Sequence, residues 1–360
     1  MIAAMAKLAK NKTLCNKVAP KWQNFKANDS SKVVFNLFKF GRPHAVEVSK
    51  RLPTKNYRLV YSKSSNNNLM GPLLEKALVH LLFDGNYESA NGVPATLVMS
   101  SLTNNFFEEV PFVSNDSGFK FEELADHGFK TNSQMVVAFR KPVSEYNLIT
   151  HHYYSLVEVH KSKKEFFTLY NPHGKTLSIR KSVITRKNLM FEISYFGNKI
   201  FRIPEIKTSV DFNVSWPTLK RNYKQIHLVI YDLLVNECDT EILINIIAKH
   251  DRKNLGVKPK IFIMTNGDKM TPVKNSIFEE QFFFQRQSLR ENLKRGKYKI
   301  LFFLSKEDEM DSCAKCRKYL ENCGNEFRFR LAASKECSVK KPSKKDTEKI
   351  KKLLFKYLES

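Results

Sequence analysis

His152 and Asn171 flank the stretch HYYSLVEVHKSKKEFFTLYN, and two such residues can serve acyl-transfer chemistry. An imidazole relays a proton between a nucleophile and a leaving group, and a side-chain amide that accepts its ring N–H fixes the tautomer and direction of the ring. Asn is sufficient in that second role, because the orienting group need not carry charge. The partner they require is a nucleophile. A thiol is best placed at a helix N-terminus, where the dipole and a neighbouring imidazolium favour the thiolate. Taken alone, a His and an Asn on adjacent strands are more often structural than catalytic.

Six cysteines could supply that thiol: Cys15, Cys238, Cys313, Cys316, Cys323 and Cys337. The Cys313-x-x-Cys316 spacing invites a zinc reading, but Cys323 and Cys337 stand alone instead of forming a second close pair. Reduced loop thiols are the simpler account, and no metal is expected. The chain has no glycine-rich phosphate loop, no His-Glu-x-x-His and no EF-hand loop.

The elements that must position His152 and Asn171 are strands. MVVAFRKP, YYSLVEVH and EFFTLYN read as three successive strands, with His152 at the start of the second and Asn171 at the end of the third. A tight hairpin brings those two ends together. This strand-rich block covers 104–206. Before it, residues 1–103 begin with a helical pattern, pass through a strand at VVFNLFKFG, and reach a helix at GPLLEKALVHLL whose Leu74, Leu78 and Leu81 share a face. After it, 207–339 is all strand in character: IHLVIYDL, ILINIIAKH, KIFIMTNGD, FEEQFFFQR, GKYKILFFLS and EFRFRLAAS recur at the intervals of a β-sandwich. Phe327, Phe329 and Leu331 alternate there with Arg328 and Arg330, the pattern of a half-buried strand. Residues 340–360 form a basic amphipathic helix with Ile350, Leu353, Leu354, Tyr357 and Leu358 on one stripe.

The 61 basic and 36 acidic residues give a formal charge of +25. Such a field attracts anionic lipid surfaces, nucleic acid or acidic proteins without choosing among them. The lysines are scattered through all blocks, which argues against a nucleic-acid arm; a solvated basic surface is the simpler account. No run approaches the twenty apolar residues of a membrane span, and the N-terminus lacks the pattern of a signal peptide. A cytoplasmic protein is expected.

HYYSLVEV followed by FFTLYNPHG resembles the calpain pattern His-x-Tyr-Ser-Val, then a strand, then Asn-Pro-Trp-Gly. VEVSKRLPTKNYRLVYSKS is similar to the calpain segment containing Asp-Asp-Arg-Leu-Pro, and GPLLEKALVHLLFDGNYESANG to its LLEKAYAK helix and continuation. LKRGKYKILFFLSK and FRFRLAASKE resemble the β-sandwich that follows the calpain protease core. The resemblance implies an α+β papain-like core, its first half truncated at the N-terminus, followed by an all-β sandwich domain. It makes His152 the catalytic His and Asn171 the residue that orients it, with peptide hydrolysis through an acyl-enzyme as the family chemistry. His173 takes the place of the Trp that shields their hydrogen bond.

The departures from the family are as informative. Calpains carry Gly-Asp-Cys-Trp directly before a helix that MIAAMAKL matches, so the nucleophile falls two residues ahead of Met1; Cys15 matches a structural stretch instead. The family's Thr-Gly-Gly beside the substrate cleft reads Thr103-Asn104-Asn105, where side chains enter the substrate's path. Calcium requires hard, mostly acidic oxygen ligands, yet the family's calcium acids read Asn68, Leu177, Arg186 and Asn188, and its Asp pair reads Ser49-Lys50. The expectation is a calpain homologue without catalysis or core calcium, acting by protein binding or regulation. Two alternatives stand beside it: a fragment of an active calcium-dependent endopeptidase whose Cys segment lies upstream, and a lipid-surface module built on the calpain scaffold.

Overall fold

Two short helices, α1 (Ile2–Ala6) and α2 (Lys12–Val18), precede a hairpin of β1 (Lys32–Lys39) and β2 (Arg42–Ser49). The computed structural model describes residues 2–6, 12–19, 32–39, 41–62, 69–90, 93–112, 121–139, 143–150, 152–160, 166–172, 174–180, 189–215, 227–248, 257–265, 272–275, 286–306 and 326–350. Strict alternation in β1 buries Val33, Phe35 and Leu37 on one face. A small hairpin of β3 (Thr54–Lys55) and β4 (Arg58–Leu59) comes next. Helix α3 (Met70–Phe83) follows, with Pro72 in its first turn, where no backbone donor is needed. Its Leu74, Leu78 and Leu81 are buried, as their spacing predicts.

Helix α4 (Ala95–Thr103) leads to β5 (Phe107–Phe112), α5 (Phe121–Lys130), β6 (Gln134–Phe139), β7 (Tyr153–His160), β8 (Phe166–Asn171), β9 (Lys175–Arg180) and β10 (Leu189–Ser194). The last six strands form one antiparallel sheet in the order β5-β10-β6-β7-β8-β9. One core gathers Phe35 and Leu37 from β1, Leu73, Leu74 and Leu78 from α3, Val98 and Met99 from α4, and Ala3 and Ala4 from α1. On α5, Phe121 meets Phe167 and Phe191 edge-on, each at 5.2 Å between ring centroids. Gly128 lets α5 approach β6, since a Cβ there would collide with the Met135 sulfur. These elements make up one compact unit, Met1–Phe201.

The second unit, Arg202–Ser360, is antiparallel β. Its strands are β11 (Thr208–Ser215), β12 (His227–Val235), β13 (Thr240–Ala248), β14 (Val257–Thr265), β15 (Pro272–Asn275), β16 (Arg286–Leu293), β17 (Gly296–Lys306), β18 (Glu326–Ala333) and β19 (Cys337–Lys340). They form a four-stranded sheet, β11-β18-β13-β16, and a five-stranded sheet, β15-β14-β17-β12-β19. Ile242, Ile244, Ile246, Phe329 and Leu331 of the first sheet share a core with Leu233, Val235, Ile263 and Ile300 of the second. Tyr231 stacks on Phe329 across it at 5.7 Å.

Strand β18 differs from the half-buried pattern. Phe329 and Leu331 face the core as the alternation predicts, but Arg328 and Arg330 are each only 12% exposed on the opposite face. Arg328 donates from Nε and Nη2 to the two carboxylate oxygens of Asp211, at 2.7 and 2.5 Å, and Arg330 Nε lies 3.4 Å from Oδ2. Burial, with Arg328 adding repulsion, lowers Arg330 to about 10. Periodicity distinguishes two faces; it does not say whether the polar face is also covered.

The C-terminal helical pattern is seen as a helix, α6, over 344–350, with Ile350 buried; residues 351–360 lie outside the described set. Ser343 caps α6: its Oγ accepts the Asp346 N–H at 3.1 Å and donates to Asp346 Oδ2 at 2.7 Å. Ser343→Ala should destabilise this turn by about 1 kcal/mol, read as faster amide exchange confined to 346–350. Among the described residues no helix is long and apolar enough to cross a membrane.

Candidate active site

The β7–β8 hairpin brings the two residues together. His152 immediately precedes β7, Asn171 ends β8, and His152 Nε2 lies 3.1 Å from Asn171 Oδ1. An amide oxygen only accepts, so Nε2 carries the hydrogen, and Nδ1 is the nitrogen with a lone pair for a thiol. The ring also packs edge-on against Tyr154 at 4.8 Å. Tyr154 is fully buried, and its hydroxyl accepts the Ile149 N–H at 2.9 Å, which ties down the approach to β7.

Beneath this pair lies a polar network that sequence reasoning missed. Tyr153 is partly buried, with its hydroxyl hydrogen-bonded to Glu192 on β10, and Glu192 Oε2 accepts the Thr96 N–H at 2.7 Å. Thr96 is the second residue of α4, whose N-cap is Pro94, so a carboxyl distant in sequence caps a helix that has no side-chain cap of its own. Thr96 Oγ1 donates to Glu109 Oε1 at 2.6 Å, and Glu109 is the cross-strand neighbour of Glu192. Burial pushes the Glu192 carboxyl up, against the bonds from Tyr153 and Thr96; burial, then Glu192, pushes the Tyr153 hydroxyl well up. The available signal was an acid inside the apolar run LMFEISYF.

Helix α1 packs on β6, β7 and β8, and the Ser155 hydroxyl donates to the Ala3 carbonyl. The sole cysteine of residues 1–201 is Cys15, in α2. It is buried, and burial raises its thiol, the reverse of what an attacking sulfur needs.

The other candidate residues that are described lie on separate elements. Asn104 caps the C-terminus of α4 in the left-handed region, φ 54°, which Asn adopts more readily than other residues with a side chain. The Asn105 N–H donates to Thr103 Oγ1 at 3.2 Å, and that hydroxyl contacts Ser194 Oγ at 3.2 Å. Leu177 lies on β9 opposite Leu169. At Ser49, where an acid was expected, the Lys76 ammonium donates to Ser49 O and Oγ and to Arg51 O, at 3.0, 2.9 and 2.7 Å. Asn68, His173, Arg186 and Asn188 lie outside the described residues, as do Cys313, Cys316 and Cys323. Cys337 is buried, and burial raises its thiol to about 11. Among the described residues no group of three His, Cys, Asp or Glu side chains is arranged to hold a metal ion.

The model of the calpain family cysteine proteases matches residues 1–179. Human calpain-12 is 30% identical over 183 residues, 48% of this chain and 25% of that protein. Calpain clp-1 of Caenorhabditis elegans is 33% identical over 109 residues, 30% of this chain and 14% of that protein. The calpain-1 catalytic subunit of Rattus norvegicus is 36% identical over 93 residues, 26% of this chain and 13% of that protein. The matched stretches thus span a quarter or less of these relatives. Over residues 1–179, the chain belongs to the calpain family of cysteine proteases.

Proposed function

We propose that these 360 residues form a calpain-type homologue that binds protein and does not cleave it. The observation that carries this reading is the mismatch in the first unit. His152 and Asn171 are hydrogen-bonded in the manner of a thiol-protease base and its orienting amide, while Cys15 is buried with its thiol raised. Asn104 and Asn105 in place of the family's paired glycines, and His173 in place of its shielding Trp, support the same reading. Calcium has no role at the family positions, because Asn68, Leu177, Arg186 and Asn188 offer no carboxylate. The second unit serves as a calpain-type β-sandwich, supported by its two antiparallel sheets around a shared core. That Cys15, Cys238 and Cys337 form no disulfide supports a reducing, cytoplasmic setting.

The test is hydrolysis of a casein-type substrate under reducing conditions, with and without calcium. No thiol-dependent turnover is expected. Turnover that disappears in His152→Ala would sink the proposal.

A second reading, a piece of an active endopeptidase, is favoured by one observation. Helix α1 packs on the strands that carry His152 and Asn171, which is where such a protease presents its cysteine.

A further inference from the structure

The β3–β4 hairpin presents an aromatic side chain in a backbone conformation that aromatic residues avoid. Its two turn residues, Asn56 and Tyr57, have φ of 51° and 59°. A two-residue turn with both φ positive is the type I′ hairpin turn, which favours Asn followed by Gly. Asn56 fits. Tyr57 does not: a bulky residue in the left-handed region is an outlier, and such outliers persist where the surrounding structure enforces them. The other described positive-φ residues with side chains are Asn or Asp, Arg202 excepted. Tyr57 packs on nothing, being fully exposed at the tip, so the strain serves no core.

The base of the hairpin is held firmly. Lys76 of α3 donates to Ser49 and Arg51 on the incoming side, and the adjacent Glu75 accepts the Ser62 N–H at 3.0 Å on the outgoing side. Val60 N–H donates to the Pro53 carbonyl at 3.1 Å across the base, and Tyr61 stacks on Tyr87 at 4.1 Å. In and around this hairpin, Val60 and Tyr61 are partly exposed apolar groups, and Arg51, Lys55 and Arg58 are exposed cations. No acidic residue occurs between Glu47 and Glu75.

We propose that this hairpin is an anchor for an anionic phospholipid surface, with the Tyr57 ring at headgroup depth and Arg51, Lys55 and Arg58 against the lipid phosphates. The charge complementarity is one-sided over the whole segment, and Tyr rings favour the membrane–water interface. Size argues for a bilayer over a protein. A stable protein interface takes roughly 800 Å² from each partner, more than so small a convex tip can supply, whereas a bilayer accepts one protruding ring without a matching pocket. The inference stands apart from the fate of the His152–Asn171 pair.

The experiment is co-sedimentation of the full chain with phosphatidylcholine vesicles, with and without phosphatidylserine. Binding is expected only with phosphatidylserine and should weaken as salt rises. Lys55→Ser and Arg58→Ser should each lower affinity on the order of fivefold, and Tyr57→Gly by a similar factor, while its thermal midpoint holds or rises because Gly relaxes the turn. Tyr57→Trp should retain binding and add a blue-shifted emission, quenched by spin-labelled lipid, over that of the parent chain. Equal binding by Tyr57→Gly, or an added indole emission in Tyr57→Trp that vesicles leave unmoved, would overturn the proposal. Tyr57-dependent binding to polyglutamate or single-stranded DNA without vesicle binding would overturn it too, by assigning the tip to another class of partner.

Discussion

Glu192→Leu is expected to destabilise the first unit by about 3 kcal/mol, because it removes the acceptor for two buried donors, the Thr96 N–H and the Tyr153 hydroxyl. Each orphaned buried donor costs roughly 1–3 kcal/mol, and the added apolar burial offsets only part of that. Both the start of α4 and the residue after His152 lose their anchor, so amide protection should fall in α4, β7 and β10 together.

Glu192→Gln is the informative companion, because it keeps an acceptor and cannot ionise. Burial holds the folded-state pKa of Glu192 above its value in the unfolded chain. Below the unfolded value, near 4.5, the carboxyl is protonated in both states and its contribution is fully present. As pH rises the unfolded chain loses its proton first, so stability is lost progressively until the folded-state pKa is passed. The Gln variant lacks this loss. Its stability relative to wild type should therefore improve with pH from about 4.5 upward, measured by urea unfolding at several pH values. A difference that stays flat across that range would show that Glu192 is not held up by burial.

These two variants also mark what could be read from residue order. The strands YYSLVEVH and FFTLYN were legible because alternation and β-branched or aromatic content describe a half-buried strand, and the ends of such a hairpin must meet. His152 and Asn171 followed from that topology. The bulge between Leu156 and Glu158 did not, because a single register shift leaves no mark on periodicity. The Tyr153–Glu192–Thr96 network was equally hidden. It joins three residues far apart in the chain through contacts made only after the sheet has assembled. Arg328 and Arg330 looked like an outer face, and only Asp211 on a neighbouring strand reveals why they tolerate burial. The apolar half of the pattern is a local property of a strand, whereas the pairing of buried charges is a property of the fold.

Joining the family's Gly-Asp-Cys-Trp segment ahead of Met1 should restore the reactivity of a thiol protease before it restores turnover. If Nδ1 of His152 addresses that position, the introduced thiol should titrate in the range of about 3.5–7.5 seen for paired or helix-terminal cysteines. It should then be alkylated by iodoacetamide at acidic pH, while Cys15, buried and raised, remains unreactive. His152→Ala should return the thiol to about 8.5, and Asn171→Ala should do so in part by releasing the ring. Casein-type hydrolysis should appear only when Asn104 and Asn105 are also changed to Gly. Asn104 already holds the left-handed backbone that Gly would adopt, so the change removes side-chain bulk without reshaping the turn. The order of these gains separates the two readings of the chain. Turnover from the segment alone would mean that the cleft is intact and the chain is a piece of an active endopeptidase. An introduced thiol indifferent to His152 would mean that the His152–Asn171 hydrogen bond persists here as structure, with no base left to activate a nucleophile.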